Sequence, residues 1–308
     1  MDPSGEQFQI EGSGYRAVVT ESGGALRLLE HHGRPLVDGF ARHEMSSGGR
    51  GQLLMPWPNR IRDGVHEFGG RRHQLALSDP GTRTASHGLA RWAPWTAVDQ
   101  QADSVTLTYR VMAQTGYPWT LDLRVTYSVS PAGLRVTQSA TNRSSEPAPY
   151  ASGAHPYLCV GTGIDHLELT LPAARRVLTD DRLLPTGEEE VAGTAYDFRT
   201  PRVIGSTSFN DAFGDLERDA TGTATVVLRD PVSGDAVALW VDAAHGWVQL
   251  FSADEVPDKA RRSLAVEPMT APADAFNSRD GLVVLAPAGQ AGASASATWG
   301  VTQLRKAP

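Results

Sequence analysis

Apolar and polar residues alternate with a period of two along much of this chain. Val105, Leu107, Tyr109 and Val111 alternate with Thr106, Thr108 and Arg110, and Leu121, Leu123, Val125, Tyr127 and Val129 alternate with Asp122, Arg124, Thr126 and Ser128. Successive side chains of a strand point to opposite faces, so each stretch predicts a strand with one face toward a core. The same reading predicts strands over 15–20, 134–140, 166–171, 223–228, 236–241, 247–251 and 295–301. Turn chemistry separates them, as in Ser130-Pro131-Ala132-Gly133, Asp230-Pro231-Val232-Ser233-Gly234 and the Gly48-Gly49 pair. No amphipathic helix longer than three turns is legible, and the Ala- and Gly-rich stretch 286–297 reads as a loop. Many short strands between Gly, Pro and Asp indicate an all-β antiparallel sandwich. With no composition break and no repeat, residues 1–308 are expected to form a single domain.

Composition narrows the partners. Of the 308 residues 40% are hydrophobic, enough to bury a substantial core. A formal net charge of -7 gives no basic field to attract phosphate backbones, so nucleic acid is not expected as a partner. No apolar run approaches the roughly 20 residues that span a bilayer, so no membrane association is expected either. Residues 1–10 lack the features of a secretory signal. A single cysteine, Cys159, cannot build an intrachain disulfide framework and fits a reducing compartment, so a cytoplasmic protein is expected. Asn142-Arg143-Ser144 then matches a glycosylation acceptor by letter alone. The run 188–190, three glutamates, reads as a solvated loop, and His31-His32 as an exposed turn.

Four strings are ill suited to ordinary strands and carry candidate chemistry. In residues 54–64 two prolines stiffen the chain around Trp57, which offers a flat apolar surface to a sugar ring, while Asn59 and Arg60 offer directional donors. A surface turn with an ion-paired arginine is the alternative. His87 precedes Gly88, an arrangement also common in turns. His155 precedes Pro156, which favours an extended backbone and a fixed imidazole direction; a histidine that titrates near neutrality suits proton transfer. Glu267 lies among Val266, Pro268 and Met269, and partial desolvation there raises a carboxyl pKa toward that of a working general base. The remaining histidines form no metal-ligand spacing.

Pro56-Trp57-Pro58-Asn59-Arg60-Ile61, His87-Gly88, His155-Pro156-Tyr157 and Val266-Glu267-Pro268-Met269-Thr270 occur in an order and spacing that resemble the aldose 1-epimerase (galactose mutarotase-like) family. Residues 271–276 and the turn Pro287-Ala288-Gly289 resemble its ending. The resemblance implies a large antiparallel β-sandwich, the galactose mutarotase-like supersandwich, with a cleft on one face. It also implies interconversion of the α and β anomers of an aldohexose, with Glu267 as general base and His155 as general acid. Arg60, His87 and Gln249 would bind the sugar, with Asn59, Trp57 and Tyr157 beside it. Only protons move, so no metal and no cofactor is implied; the partner is a small-molecule sugar, and the assembly a monomer or homodimer. One departure stands out. The family usually places an aspartate where this chain has Asn210, in Phe209-Asn210-Asp211-Ala212-Phe213, so either Asn210 meets the sugar or Asp211 reaches in. Two alternatives remain: a mutarotase for a phosphorylated or sulfonated hexose, needing a cationic pocket from Arg62, Arg71, Arg72, Arg83 or Arg91, and a non-catalytic sugar-binding sandwich.

Overall fold

The structure, a computed structural model, describes residues 2–161, 163–256 and 258–304. Strands dominate it, and among the described residues the sole α-helix is the single turn Ala275–Ser278. No helix among them is long and apolar enough to cross a membrane.

Two antiparallel sheets form the body. The first has nine strands, with Ser104–Val111, Leu121–Ser130 and Gly133–Asn142 in sequence order. The last strand, Ser294–Leu304, inserts between Gly133–Asn142 and Ala236–Val241, so the end of the chain completes the middle of the sheet. Alternation explains this layer: Leu121, Leu123, Val125, Tyr127 and Val129 are all buried, while the residues between them are not. Burying such a side chain contributes about 1.5–3 kcal/mol. The turn into Gly133–Asn142 needs its glycine, because Gly133 has φ +102° and a Cβ there would lie 2.5 Å from the Val301 carbonyl oxygen.

The second sheet has eight strands in the order Pro185–Glu190, Ala173–Thr179, Asn210–Leu216, Trp247–Phe251, Leu264–Met269, Gly153–Ala154 and Leu53–Leu54, with Tyr157–Leu158 also pairing with Leu264–Met269. Leu264–Met269 is buried along its whole length, hydrogen-bonded on both sides. Gln138 ties the two layers together: its amide donates to the Gly153 carbonyl at 3.0 Å and accepts from the Trp299 indole at 2.8 Å. A smaller sheet, Gln7–Gly12, Tyr15–Thr20, Leu26–His31 and Arg34–Pro35, packs against the strand Leu121–Ser130.

The expected antiparallel β-sandwich is therefore the observed architecture. Three local expectations change. The acidic run 188–190 belongs to the edge strand Pro185–Glu190, because facing arginines neutralise it: Arg176 lies 2.7 Å from Glu189 and Arg175 3.5 Å from Glu188. His31 is buried at a strand end, its ring 4.1 Å from that of Tyr15. The strand Ser294–Leu304 begins within the stretch read as a loop.

Candidate active site

The site is assembled from turns at one end of the eight-stranded sheet and from two of its interior strands. Trp247–Phe251 and Leu264–Met269 pair so that Gln249 stands directly opposite Glu267. Directly opposed residues share a face, so the amide and the carboxyl emerge together. Asn59 donates its amide to Gln249 Oε1 at 3.2 Å, and Gln249 donates in turn to Asn210 Oδ1 at 3.2 Å. Arg60 Nη1 donates to Asn59 Oδ1 at 3.2 Å, and its Nε lies 3.4 Å from Asp79.

Asn59 and His87 both adopt left-handed backbone, with φ +53° and +62°. Each turn braces the other: the His87 N–H donates to the Asn59 carbonyl at 2.8 Å, and the Asn59 N–H donates to His87 Nδ1 at 3.2 Å. Because Nδ1 accepts, the neutral imidazole carries its proton on Nε2. Burial holds His87 well below the ordinary histidine range, aided by the charges of Arg91 and Arg60. The glycine after it is obligatory, since a Cβ on Gly88 would lie 2.1 Å from the Met55 carbonyl oxygen.

His155 is gripped on several sides. The Tyr157 ring is stacked on it, centroids 5.0 Å and planes 9° apart, and the Arg50 guanidinium lies 4.1 Å from the Tyr157 centroid. Arg50 is itself buried and paired with Asp38 at 3.3 Å. Gly49 closes over the imidazole so tightly that a Cβ there would meet its Cδ2 at 2.6 Å.

His155 Nε2 lies 3.2 Å from Glu267 Oε1. Burial lowers His155 to about 3, reinforced by Arg50, and raises Glu267 to about 8 against the opposing charge of Arg60. Desolvation thus favours the arrangement in which one proton, held by Glu267, leaves both groups uncharged. Glu267 Oε2 is buried and has no hydrogen-bond partner among the described residues. Around this pair opens a cleft of about 330 Å³, lined by Arg60, His87, Arg91, Trp92, His155, Gln249, Phe251 and Glu267, with Gly48, Gly49 and Asp79 at its edges. That volume sits at the small end of the range for small-molecule sites.

Matching against known families decides the relationship: the description "Aldose 1-epimerase" covers residues 6–294. The chain belongs to the aldose 1-epimerase family. The uncharacterized protein YihR of Escherichia coli (strain K12) is 32% identical over 92% of this chain and 90% of its own length. Two solved structures share the aldose 1-epimerase architecture seen here. A GalM/aldose epimerase homologue from C. elegans superposes with a TM-score of 0.84 at 20% identity, covering 97% of this chain and 99% of its own. The galactose 1-epimerase of Lactobacillus acidophilus NCFM gives 0.79 at 19% identity, covering 96% and 93%.

In this aldose 1-epimerase fold, several of the residues expected beside the sugar do not line the cleft. Trp57 is buried, donates from its indole to the Ala85 carbonyl at 3.3 Å and packs on Phe276, so it offers no face to the cleft. The aromatic rings of Trp92, which is exposed, and Phe251 line the cleft instead. Tyr157 is also buried, and its hydroxyl donates to the Gly48 carbonyl at 2.6 Å. Asp211 turns to Arg176 at 3.2 Å and does not line the cleft, because that cation sits on the neighbouring strand. Asn210 stands one layer back, bonded to Gln249 and bordering a small recess behind Asn59 and Arg60. Asp79 was not anticipated from sequence; it reaches Arg60 through a turn closed by pairing with Thr84, for which the chain carries no motif.

Proposed function

We propose that the protein is an aldose mutarotase, an isomerase that opens and recloses a hexopyranose by paired general acid and base. The observation that carries this reading is the 3.2 Å contact of His155 Nε2 with Glu267 Oε1 at the floor of a sugar-sized cleft. Catalytic proton transfer needs both groups within reach of one substrate centre.

The pair shares one proton, and its two distributions are the two ends of the reaction. With the carboxylate ionised and the imidazole protonated, Glu267 takes the proton from the anomeric hydroxyl while His155 gives one to the ring oxygen. The C1 to ring-oxygen bond breaks and the C1 carbonyl forms. Glu267 is then protonated and His155 neutral, the distribution that burial favours. Rotation about C1–C2 presents the other carbonyl face, and both protons return as the ring closes on the opposite anomer. Glu267 Oε2 supplies an acceptor for the anomeric hydroxyl. His87 Nε2–H, the Arg60 guanidinium and the Gln249 amide hold the remaining oxygens.

A cytoplasmic setting belongs to the same proposal, supported by a single buried cysteine whose thiol is pushed up to about 12 by burial. The test is the approach to anomeric equilibrium of freshly dissolved α-glucose and α-galactose, followed by polarimetry or NMR. Acceleration above the solvent rate is expected, with a loss of about 10²–10⁴-fold in Glu267→Gln. A protein that binds the sugars yet leaves equilibration at the solvent rate is a binding module.

A further inference from the structure

A second cavity, of about 530 Å³, shares no lining residue with the catalytic cleft. Arg27, Lys259 and Arg262 bring positive charge to its walls, and Leu28, Val37 and Phe40 bring apolar surface.

Its acids are largely engaged from behind. Glu30 lies 2.9 Å from Arg16, and Asp38 is shared between Arg262 and Arg50, the latter at 3.3 Å. Arg27 has no such partner. Its Nε donates to Gln7 Oε1 at 2.6 Å and its Nη1 to the Phe40 carbonyl at 3.3 Å, both neutral acceptors. Burial holds Arg27 below the ordinary arginine range, and the charges that act on it, Arg16 and Arg42, are both positive. Lys259 is tied by its backbone, its N–H donating to the Val256 carbonyl at 3.1 Å, and makes no ion pair among the described residues. Partly burying a cation costs free energy unless an anion offsets it.

The wall of this cavity is bonded to both catalytic residues. The Asp38 N–H donates to the Tyr157 carbonyl at 2.8 Å, and the Cys159 N–H to the Leu36 carbonyl at 3.1 Å. The Asp38 carboxylate holds Arg50, which stands over Tyr157, and Tyr157 is stacked on His155. Ser263, whose hydroxyl donates to Asp38 Oδ2 at 2.9 Å, follows Arg262 and leads directly into Leu264–Met269, the strand of Glu267.

We propose that this cavity is a regulatory site for a small phosphorylated metabolite, seated among Arg27, Lys259 and Arg262 and felt at His155 through Asp38, Arg50 and Tyr157. The effect on turnover rests on the mutarotase reading; the binding does not. A phosphate monoester offers three oxygens to cations arriving from separate segments, and Leu28 and Phe40 receive its carbon portion. An anion beside Arg262 competes with Asp38 for that guanidinium and turns the carboxylate toward Arg50. Both the added negative charge and the closer carboxylate weaken the field by which Arg50 opposes protonation of His155. The ligand is therefore an activator, since His155 must carry a proton to open the ring.

The experiment titrates glycerol 3-phosphate, inorganic phosphate and succinate into the intact protein by calorimetry, and follows kcat for glucose anomer exchange and the nitrogen shifts of the His155 imidazole. Glycerol 3-phosphate is expected to bind tightest, with a Kd of about 1 mM or below, and to raise kcat on the order of fivefold. Arg27→Gln and Lys259→Gln, both remote from the cleft, should each weaken binding about tenfold and leave kcat without the ligand unchanged. No binding of either phosphate, tighter binding of succinate, or binding unaltered in both variants overturns the site. Binding that moves neither kcat nor the His155 shifts overturns the regulation. If glucose is not accelerated at all, mutarotation itself fails, and the titrations and the His155 shifts decide the site alone.

Discussion

Tyr157 lies flat against His155, with 9° between the ring planes, and Arg50 stands 4.1 Å from the centre of the same tyrosine. The imidazole is thus oriented by a stacked ring and biased toward its neutral form by a charge behind that ring. Arg50→Met is expected to raise the His155 pKa from about 3 toward the ordinary histidine value, because Arg50 is the largest charge effect opposing protonation. NMR titration of the imidazole measures this directly. Asp38 keeps Arg262 and Ser263 as partners, so loss of Arg50 is expected to cost about 1.5–3 kcal/mol of stability, the range for a hydrogen bond to a charged group, read from chemical denaturation.

The alkaline side of the pH–rate profile reports Glu267. Below a pH of about 8 the pair with His155 retains its single proton; above it that proton is lost and no acid remains. Activity is expected to hold across neutrality and to fall as pH rises through about 8. Arg60 opposes the upward shift of Glu267, so Arg60→Met should move the midpoint of this fall to higher pH while also weakening sugar binding. A midpoint unmoved or lowered in Arg60→Met contradicts the assignment.

Folding stability carries the same signature with a definite sign. The Glu267 pKa is raised from 4.5 to about 8 by burial, so its contribution is fully favourable below 4.5 and is lost as pH climbs through 8. Glu267→Gln, which cannot ionise, is expected to be more stable than wild type. The advantage should grow between those limits to the order of 5 kcal/mol and level off above them. Thermal melts of both proteins at several pH values check it; a difference independent of pH would refute a buried titrating carboxyl.

Gly49 sets the ceiling over the imidazole. It has φ +78°, and a Cβ there would stand 2.6 Å from His155 Cδ2. Gly49→Ala is expected to retain the fold, judged by circular dichroism, while displacing His155 and lowering kcat by about 10²-fold, as small misplacements of reacting groups do.

What the sequence revealed follows from where each strand sits. The pair Ser104–Val111 and Leu121–Ser130 was legible because one face is buried and the other wet. Leu264–Met269, buried on both faces, shows no alternation and reads only as an apolar run interrupted by Glu267. Pro185–Glu190 looked like a loop because its stability depends on Arg175 and Arg176 of the next strand, which no local pattern announces. In the site, the strings around residues 59, 87, 155 and 267 marked the elements, but periodicity said nothing of their convergence. Trp57 and Trp92 both lie in irregular segments; which ring faces the cleft is decided by tertiary partners, Ala85 and Phe276 in the case of Trp57. Asp79 acts through a turn that no string of residues announces.

Glu267 and Gln249 ride on strands bonded along both edges, whereas Gly48, Gly49 and Asp79 belong to connecting turns. The chemical floor can therefore open only with the whole sandwich, while the doorway is free to breathe by itself. Amide hydrogens at the floor should exchange with deuterium at the pace of complete unfolding, and those at the doorway far sooner. Such a division lets sugars come and go while the Glu267 carboxyl and the Gln249 amide keep their places on the paired strands.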